Sequence, residues 1–365
     1  MQKIYKIAEK NSPELFSKIS GEMALYLPIK NSVDTKIEST GAKTAPLEFS
    51  QWRESSGITG VDFATLKTAV APKQFFLSSH ESLYSATAKD GEIEITPPSF
   101  EVAPFVLFGV RACDAKGIEV LDSVYLGEPA DKFYESRRNA ATIITMACNA
   151  PNATCFCASF GIDPAAPKGD VSTWLVDGFL YWQANTEKGE ALTAVVESVS
   201  VGASCVCPDV NDCDSPSSGR SNAVRPYEAV NQSDTIPFSH FHPDNLLEIF
   251  NSPNWDELHR TCLACGTCTY ICPTCQCYDI GSFDSGRCVK FHRCHDSCMY
   301  SDFTQMAHGN PRPSHKERFR QRFMHKLVYH PKEHGGTFGC VGCGRCTNKC
   351  PANISIAKIA RCFHV

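Results

Sequence analysis

Four cysteines within eleven residues, followed at once by proline, occur twice near the carboxyl end of this chain. The first copy, TCLACGTCTYICP, holds Cys262, Cys265, Cys268, Cys272 and Pro273; the second, GCVGCGRCTNKCP, holds Cys340, Cys343, Cys346, Cys350 and Pro351. Both read C-x2-C-x2-C-x3-C-P, the spacing in which three close thiolates hold one cubane and the fourth reaches across to another. A tight loop delivers the three ligands, and proline redirects the chain. Gly266 and Gly344, each after the second cysteine, keep the loop small where backbone amides approach cluster sulfurs. Crosswise sharing assigns Cys262, Cys265, Cys268 and Cys350 to one [4Fe–4S] cluster, and Cys340, Cys343, Cys346 and Cys272 to the second. The alternative is structural zinc, but zinc sites usually use two C-x2-C pairs separated by a longer loop. Disulfides between such close neighbours would be strained.

The 365 residues are enough for two domains with cores of their own, so the 21 cysteines are not needed as staples. The opening MQKIYKIAEKNSPELF is polar and lacks a hydrophobic signal region, so thiols in a reducing cytosol are expected. The longest apolar runs, Phe105 to Val110 and Ala140 to Ala147, are strand-sized and too short to span a membrane. Net charge is −5, which gives no general reason to bind nucleic acid. Residues 287–334 nevertheless carry ten Lys or Arg against four acids and seven of the twelve histidines.

Helical patterning near Pro13 to Leu27 and β-rich punctuation from Val70 onward suggest a mixed first hundred residues. A clearer unit comes next. Phe105 to Val110 reads as a buried strand, Asp114 as the cap of a helix running to Asp122, and Ala141 to Ala147 as a second buried strand. That is a β-α-β unit, whose parallel strands would bring Cys113 and Cys148 to one sheet edge. Cys155 and Cys157, in the loop PNATCFCASFG, can fold back over that edge. The four thiols are a candidate third iron–sulfur site, although C-x-C is not a standard cubane spacing; the alternative is buried small residues and loop thiols. From about Gly202 to Pro237 the composition becomes Ser, Asp, Asn, Pro and Gly-rich, which reads as a linker. The expected organisation is an α+β or α/β amino-terminal domain over 1–240, then a mainly helical two-cluster ferredoxin-type domain over 251–365.

Between Cys272 and Cys340 lies an insert of 67 residues. Ser314 and Glu317 form a capping box, and Phe319, Phe323, Met324, Leu327 and Val328 an apolar stripe, so a helix is expected from His315 to Tyr329. Its other face carries Lys316, Arg318, Arg322 and Lys326, read either as a surface steering an acidic redox partner or as a solvated helix face that merely offsets the charge of nearby anionic clusters. The spacing assigns no role to Cys205, Cys207, Cys213, Cys275, Cys277, Cys288, Cys294, Cys298 or Cys362, nor to any histidine. No G-x-G-x-x-G, Walker A, H-E-x-x-H or C-x-x-C-H motif is present, and no substrate-transforming site is apparent.

The segments FGVRACDAKGIEVLD, ACNAPNATCFCASFG, CLACGTCTYICPTCQCYDI, DSCMY, PRPSHKERFRQRFMHK and CVGCGRCTNKCPANI, in that order, resemble a dicluster iron–sulfur family. It includes the anaerobic sulfite reductase A subunit and the sulfhydrogenase beta subunit. The resemblance implies a non-catalytic electron-transfer subunit of a cytoplasmic anaerobic oxidoreductase. Its partners would be a flavin- and NAD(P)-binding subunit and a terminal reductase or hydrogenase, of sulfite reductase, sulfhydrogenase or heterodisulfide reductase type. It strengthens the third-cluster reading of Cys113, Cys148, Cys155 and Cys157, and it gives Cys275, Cys277 and Cys298 family positions without a role. The rival is a zinc-stabilised binding module without redox activity.

Overall fold

The computed structural model describes residues 3–33, 47–55, 61–89, 91–150, 152–199, 205–206, 236 and 238–363. Strands in chain order are β1 (Lys3–Ala8), β2 (Ala24–Val33), β3 (Leu47–Glu54), β4 (His80–Lys89), β5 (Glu92–Thr96), β6 (Phe105–Val110), β7 (Ala141–Met146), β8 (Val171–Val176), β9 (Phe179–Ala184), β10 (Cys205–Val206), β11 (Tyr278–Asp284) and β12 (Cys288–His295). The helices are α1 (Ser12–Glu22), α2 (Ala112–Tyr125), α3 (Lys132–Ala140), α4 (Glu187–Glu197), α5 (Leu246–Asn251), α6 (Asn254–Leu258), α7 (Thr267–Tyr270), α8 (His315–Met324), α9 (His330–Glu333), α10 (Arg345–Asn348) and α11 (Ile356–Arg361). Contacts group the chain into two compact units. One comprises Met1–Ala71, Ala103–Lys116 and Ala140–Ser233, the other Pro72–Val102, Gly117–Asn139 and Asp234–Val365.

The first unit is built on an eight-stranded sheet of order β10-β1-β9-β8-β7-β6-β2-β3. Strands β2, β6, β7 and β8 pair in parallel at its centre, and the outer pairings are antiparallel. Every residue of β6 and β7 is buried, which is why neither run alternates apolar with polar residues. Leu15, Phe16 and Ile19 of α1 and Leu192 and Val196 of α4 share one core with Val106, Phe108 and Ile144. Helix α4 starts where Thr186 accepts a hydrogen bond from the Gly189 amide. A Cβ on Gly189 would lie 2.1 Å from the Asp170 carbonyl oxygen, so only glycine lets this helix approach the strand so closely. Helical patterning from Pro13 stops at Met23; Ala24 begins β2, whose Leu25 and Leu27 join the same core instead of continuing α1. Helix α2 opens at Ala112, so Asp114 lies in its first turn and is not the cap.

The second unit contains a four-stranded antiparallel sheet, β11-β12-β4-β5. The hairpin β11–β12 lies inside the insert between the cysteine motifs, so the ferredoxin-type part combines strand with helix where mainly helix was expected. The capping box holds: the Glu317 amide donates to Ser314 Oγ at 3.3 Å and the Ser314 amide to Glu317 Oε2 at 2.8 Å. Phe319, Phe323, Met324, Leu327 and Val328 are all buried, with Trp255 against the two phenylalanine rings. Helix α8 ends at Met324, a π-helical turn covers His325–Tyr329, and α9 begins at His330.

Glu81 of β4 faces Arg293 of β12 across the strand pair. Its buried carboxylate accepts from Arg293 Nε at 2.7 Å and also from Arg137, while Arg293 Nη2 donates to Asp131 at 3.1 Å. The network ties the start of α3 to the sheet, and burial makes it sensitive to loss of one member. Glu81→Ala is expected to cost about 3–5 kcal/mol, read as a lowered urea midpoint of the anaerobically purified chain. Lys132→Ala, which removes only the exposed Lys132–Glu135 pair, should move it by less than about 1 kcal/mol.

Candidate metal centres

The two cysteine motifs fold alike. Gly266 (φ 72°) and Gly344 (φ 71°) adopt the left-handed conformation that starts the short helices α7 and α10, which carry Cys268 and Cys346. Gly266 is required on a second count, because a Cβ there would lie 2.5 Å from the Tyr300 hydroxyl. That hydroxyl donates to the Cys265 carbonyl at 3.1 Å and so fixes the first loop.

Cys262, Cys265 and Cys268 line a cavity that Cys346 and Cys350 of the other motif also line. Met299 and Phe319 supply apolar wall and Arg322 a cation. Cys340, in turn, is flanked by Cys272 and Cys346; burial first, then these neighbours, push its thiol up to about 12, against the pull of Lys326.

Two of the four cations on the expected steering face are turned inward. Arg322 and Lys326 are buried, at 5% and 4% exposure, which corrects the reading of all four as a partner surface. Lys326 Nζ donates to Cys272 Sγ at 3.3 Å, Thr274 Oγ1 at 2.8 Å and the Gly339 carbonyl at 2.9 Å. It thereby joins the end of the first motif to the residue before Cys340. Burial works against its charge, but Cys272, Cys275 and Cys340 outweigh that and raise its pKa. Burial likewise opposes the charge on Arg322, and Cys268, Cys346, Cys275 and Cys272 hold it protonated. Lys73, also buried, donates to the carbonyls of Thr269 (3.2 Å) and Cys275 (2.9 Å); desolvation lowers its pKa despite nearby Cys275 and Cys272. The neighbours that favour these three charges are thiols, a donor set suited to an anionic metal–thiolate group. Spacing pointed to the thiols; the burial of Lys73, Arg322 and Lys326 had no signal beyond the i, i+4 placement of the last two between apolar positions.

In the first unit, Cys113 lies in the first turn of α2 and Cys148 just after β7, beyond adjacent parallel strands. Burial, then Cys155 and Cys148, push the Cys157 thiol up to about 12. Burial raises Cys148, with Cys155 adding and Arg111 opposing. Arg111 is buried beside Cys148 and Cys113 while donating to the carbonyls of Phe63 (2.8 Å), Thr65 (2.6 Å) and Ala147. Lys67 Nζ donates to Thr154 Oγ1 at 2.7 Å, holding the 152–157 loop. Cys148, Cys155 and Cys157 thus influence one another, and Cys113 and Cys148 both lie beside Arg111.

Cys275, Cys277 and Cys298 line a second cavity in the second unit, with Lys326 and His330 on its wall. Cys288 and Cys294 lie on β12, and Cys362 is exposed near the chain end. Cys205 is described only by its backbone pairing with Ile4; Cys207 and Cys213 lie outside the described residues. No helix among the described residues is long and apolar enough to cross a membrane.

Residues 261–354, which contain both motifs and the insert, match the family described as a 4Fe-4S dicluster domain. Over 361 residues, 97% of this chain and 96% of the relative, the sequence is 30% identical to the sulfhydrogenase 2 subunit beta of Pyrococcus furiosus. The dicluster match decides the motifs in favour of two [4Fe–4S] clusters over zinc. With a mixed α/β amino-terminal region before that ferredoxin-type domain, the chain belongs to the sulfhydrogenase beta-subunit family of iron–sulfur electron-transfer proteins.

Proposed function

We propose that this chain is the electron relay of a heteromeric, cytoplasmic anaerobic oxidoreductase. It exchanges single electrons with a flavin- and NAD(P)-binding subunit on one side and a terminal reductase or hydrogenase on the other, and transforms no substrate by itself. The observation that carries the reading is the cavity in which Cys350 joins Cys262, Cys265 and Cys268. In this reading those four bind one cluster, and Cys340, Cys343, Cys346 and Cys272 bind the second. Residues 251–365 form the relay module. Residues 1–240 carry a third cluster on Cys113, Cys148, Cys155 and Cys157, with Arg111 as the charge beside it.

Iron–sulfur clusters supply one-electron storage at potentials set by hydrogen bonds, charge and solvent exposure. The chain's own groups set those terms. Met299 and Phe319 exclude water from one wall, and Arg322 holds a positive charge there. Lys326 donates directly to the thiol of Cys272 and favours the more negative, reduced state of whatever that thiol binds. The exposed loop at Cys265 is the side from which an electron reaches the first cavity with least intervening protein.

Three outcomes test the assignments. Cys272→Ala should damage the cluster held mainly by Cys340, Cys343 and Cys346, seen by EPR of the reduced protein; loss confined to the cluster of Cys262, Cys265 and Cys268 would refute crosswise ligation. Lys326→Met should shift one cluster to a more negative potential in a redox titration, because a charge that stabilises the reduced form is gone. The double variant Cys113→Ser/Cys148→Ser should hold about four fewer irons and four fewer labile sulfides than the parent chain; an unchanged count removes the amino-terminal cluster from the scheme.

A further inference from the structure

Cys275, Cys277 and Cys298 are absent from both cysteine motifs, yet the fold gathers them. All three line one cavity, with Gln276, Arg322, Lys326 and His330 on the same wall. Cys298 lies beside Cys277, and Cys275 beside Cys272. An independent observation is the imidazole of His330, 4% exposed. Its Nδ1 lies 2.8 Å from the Thr337 carbonyl oxygen, to which it therefore donates. Its Nε2, left with a lone pair, is buried and has no partner. A histidine held through one ring nitrogen by a backbone carbonyl, with the other free, is arranged as metal-ligating histidines are. Arg322 Nε and Gln276 Oε1 are likewise buried without partners, so this wall presents a donor and acceptors that the protein leaves unused.

The backbone delivers His330 here by an irregular route. After α8 the helix widens into the π-helical turn His325–Tyr329, and α9 restarts at His330 with Pro331 next. Such turns recur at functional sites because they rotate the succeeding residues out of the regular helical register. Gly339 completes the wall: a Cβ there would lie 3.2 Å from the His330 Cβ and from the Lys326 Cα.

We propose that Cys275, Cys277, Cys298 and His330 bind a further iron–sulfur cluster, separate from the two of the dicluster motifs and adjacent to Cys272. Among the described residues no three His, Cys, Asp or Glu side chains converge as they would around a single ion. The motif cysteines, whose residues match a dicluster family, show no such convergence either. Replacement of cysteine by histidine at a cluster iron is established chemistry and raises the potential. Through the Cys275–Cys272 contact this centre would exchange one electron with the neighbouring cluster, one being oxidised as the other is reduced, with no bond to a substrate formed.

The test uses the full chain purified without oxygen, with iron, zinc and labile sulfide counted and EPR and pulsed nitrogen hyperfine spectra recorded after reduction. Cys275→Ser/Cys277→Ser/Cys298→Ser should lose about two to four irons and as many sulfides while the dicluster signals persist. That loss should add to the loss in Cys113→Ser/Cys148→Ser. The parent chain should show a strongly coupled nitrogen, and His330→Cys should keep its iron but lose that coupling, a readout that does not require the triple variant to fold. Unchanged iron and sulfide in the triple variant, or zinc in place of iron, overturns the site. A parent chain without strongly coupled nitrogen overturns the assignment of His330. In either case the two-cluster relay would stand, since its own signals come from other cysteines.

Discussion

One buried ammonium group organises the carboxyl-terminal half of the cluster machinery. Lys326 Nζ directs its three protons to Cys272 Sγ, Thr274 Oγ1 and the Gly339 carbonyl, joining two stretches of chain 65 residues apart to one point on a helix. Thr274 also donates its hydroxyl hydrogen to the Gly339 carbonyl at 2.7 Å, so the junction holds on both sides of the lysine. A lysine buried this deeply is tolerable only when its charge is answered, and the groups that answer it are thiols. The 67-residue insert between the motifs therefore has a physical role, since it brings α8 and the turn after it, and with them Arg322 and Lys326, against both motifs.

Much of the site was legible because ligand chemistry imposes spacing that no other use of cysteine requires. The two motifs, the β-α-β strands that precede Cys113 and Cys148, and the Ser314–Glu317 cap are local, and local patterns survive in a linear string. The features that could not be read depend on contacts distant in sequence. Phe319, Phe323 and Leu327 announced one buried face of α8, but nothing in their periodicity said that Arg322 and Lys326 were buried too. Charged residues beside an apolar stripe ordinarily meet water, and the thiols that reverse this lie elsewhere in the chain. His330 was hidden in the same way, because its ligand-like state rests on a hydrogen bond to Thr337 and on a π-helical turn that sequence spacing does not signal.

The amino-terminal unit meets a related problem with different means. Arg111 comes directly after β6, and its guanidinium is occupied by the carbonyls of Phe63, Thr65 and Ala147. Those bonds fix the cation at the ends of adjacent parallel strands, the edge where an open α/β sheet presents its ligands. Cys113 and Cys148 thus share a positive charge held by backbone, whereas Cys272 and Cys340 share one delivered by a helix.

These arrangements couple cluster binding to folding. Without metal, burial pushes the Cys340 thiol toward the neutral form, up to about 12. With such thiols neutral, the desolvation of Lys73 and Lys326, several kcal/mol for each buried ion, is offset by backbone carbonyls, the Thr274 hydroxyl and Cys272, whose thiol the Cys275 hydrogen bond and then Lys326 hold well below its ordinary range. Metal holds the same thiols deprotonated, and the cations then change from a liability into a source of stability. The charges that tune the clusters therefore also gain from bound metal, so cluster binding and the folding of this interior favour one another.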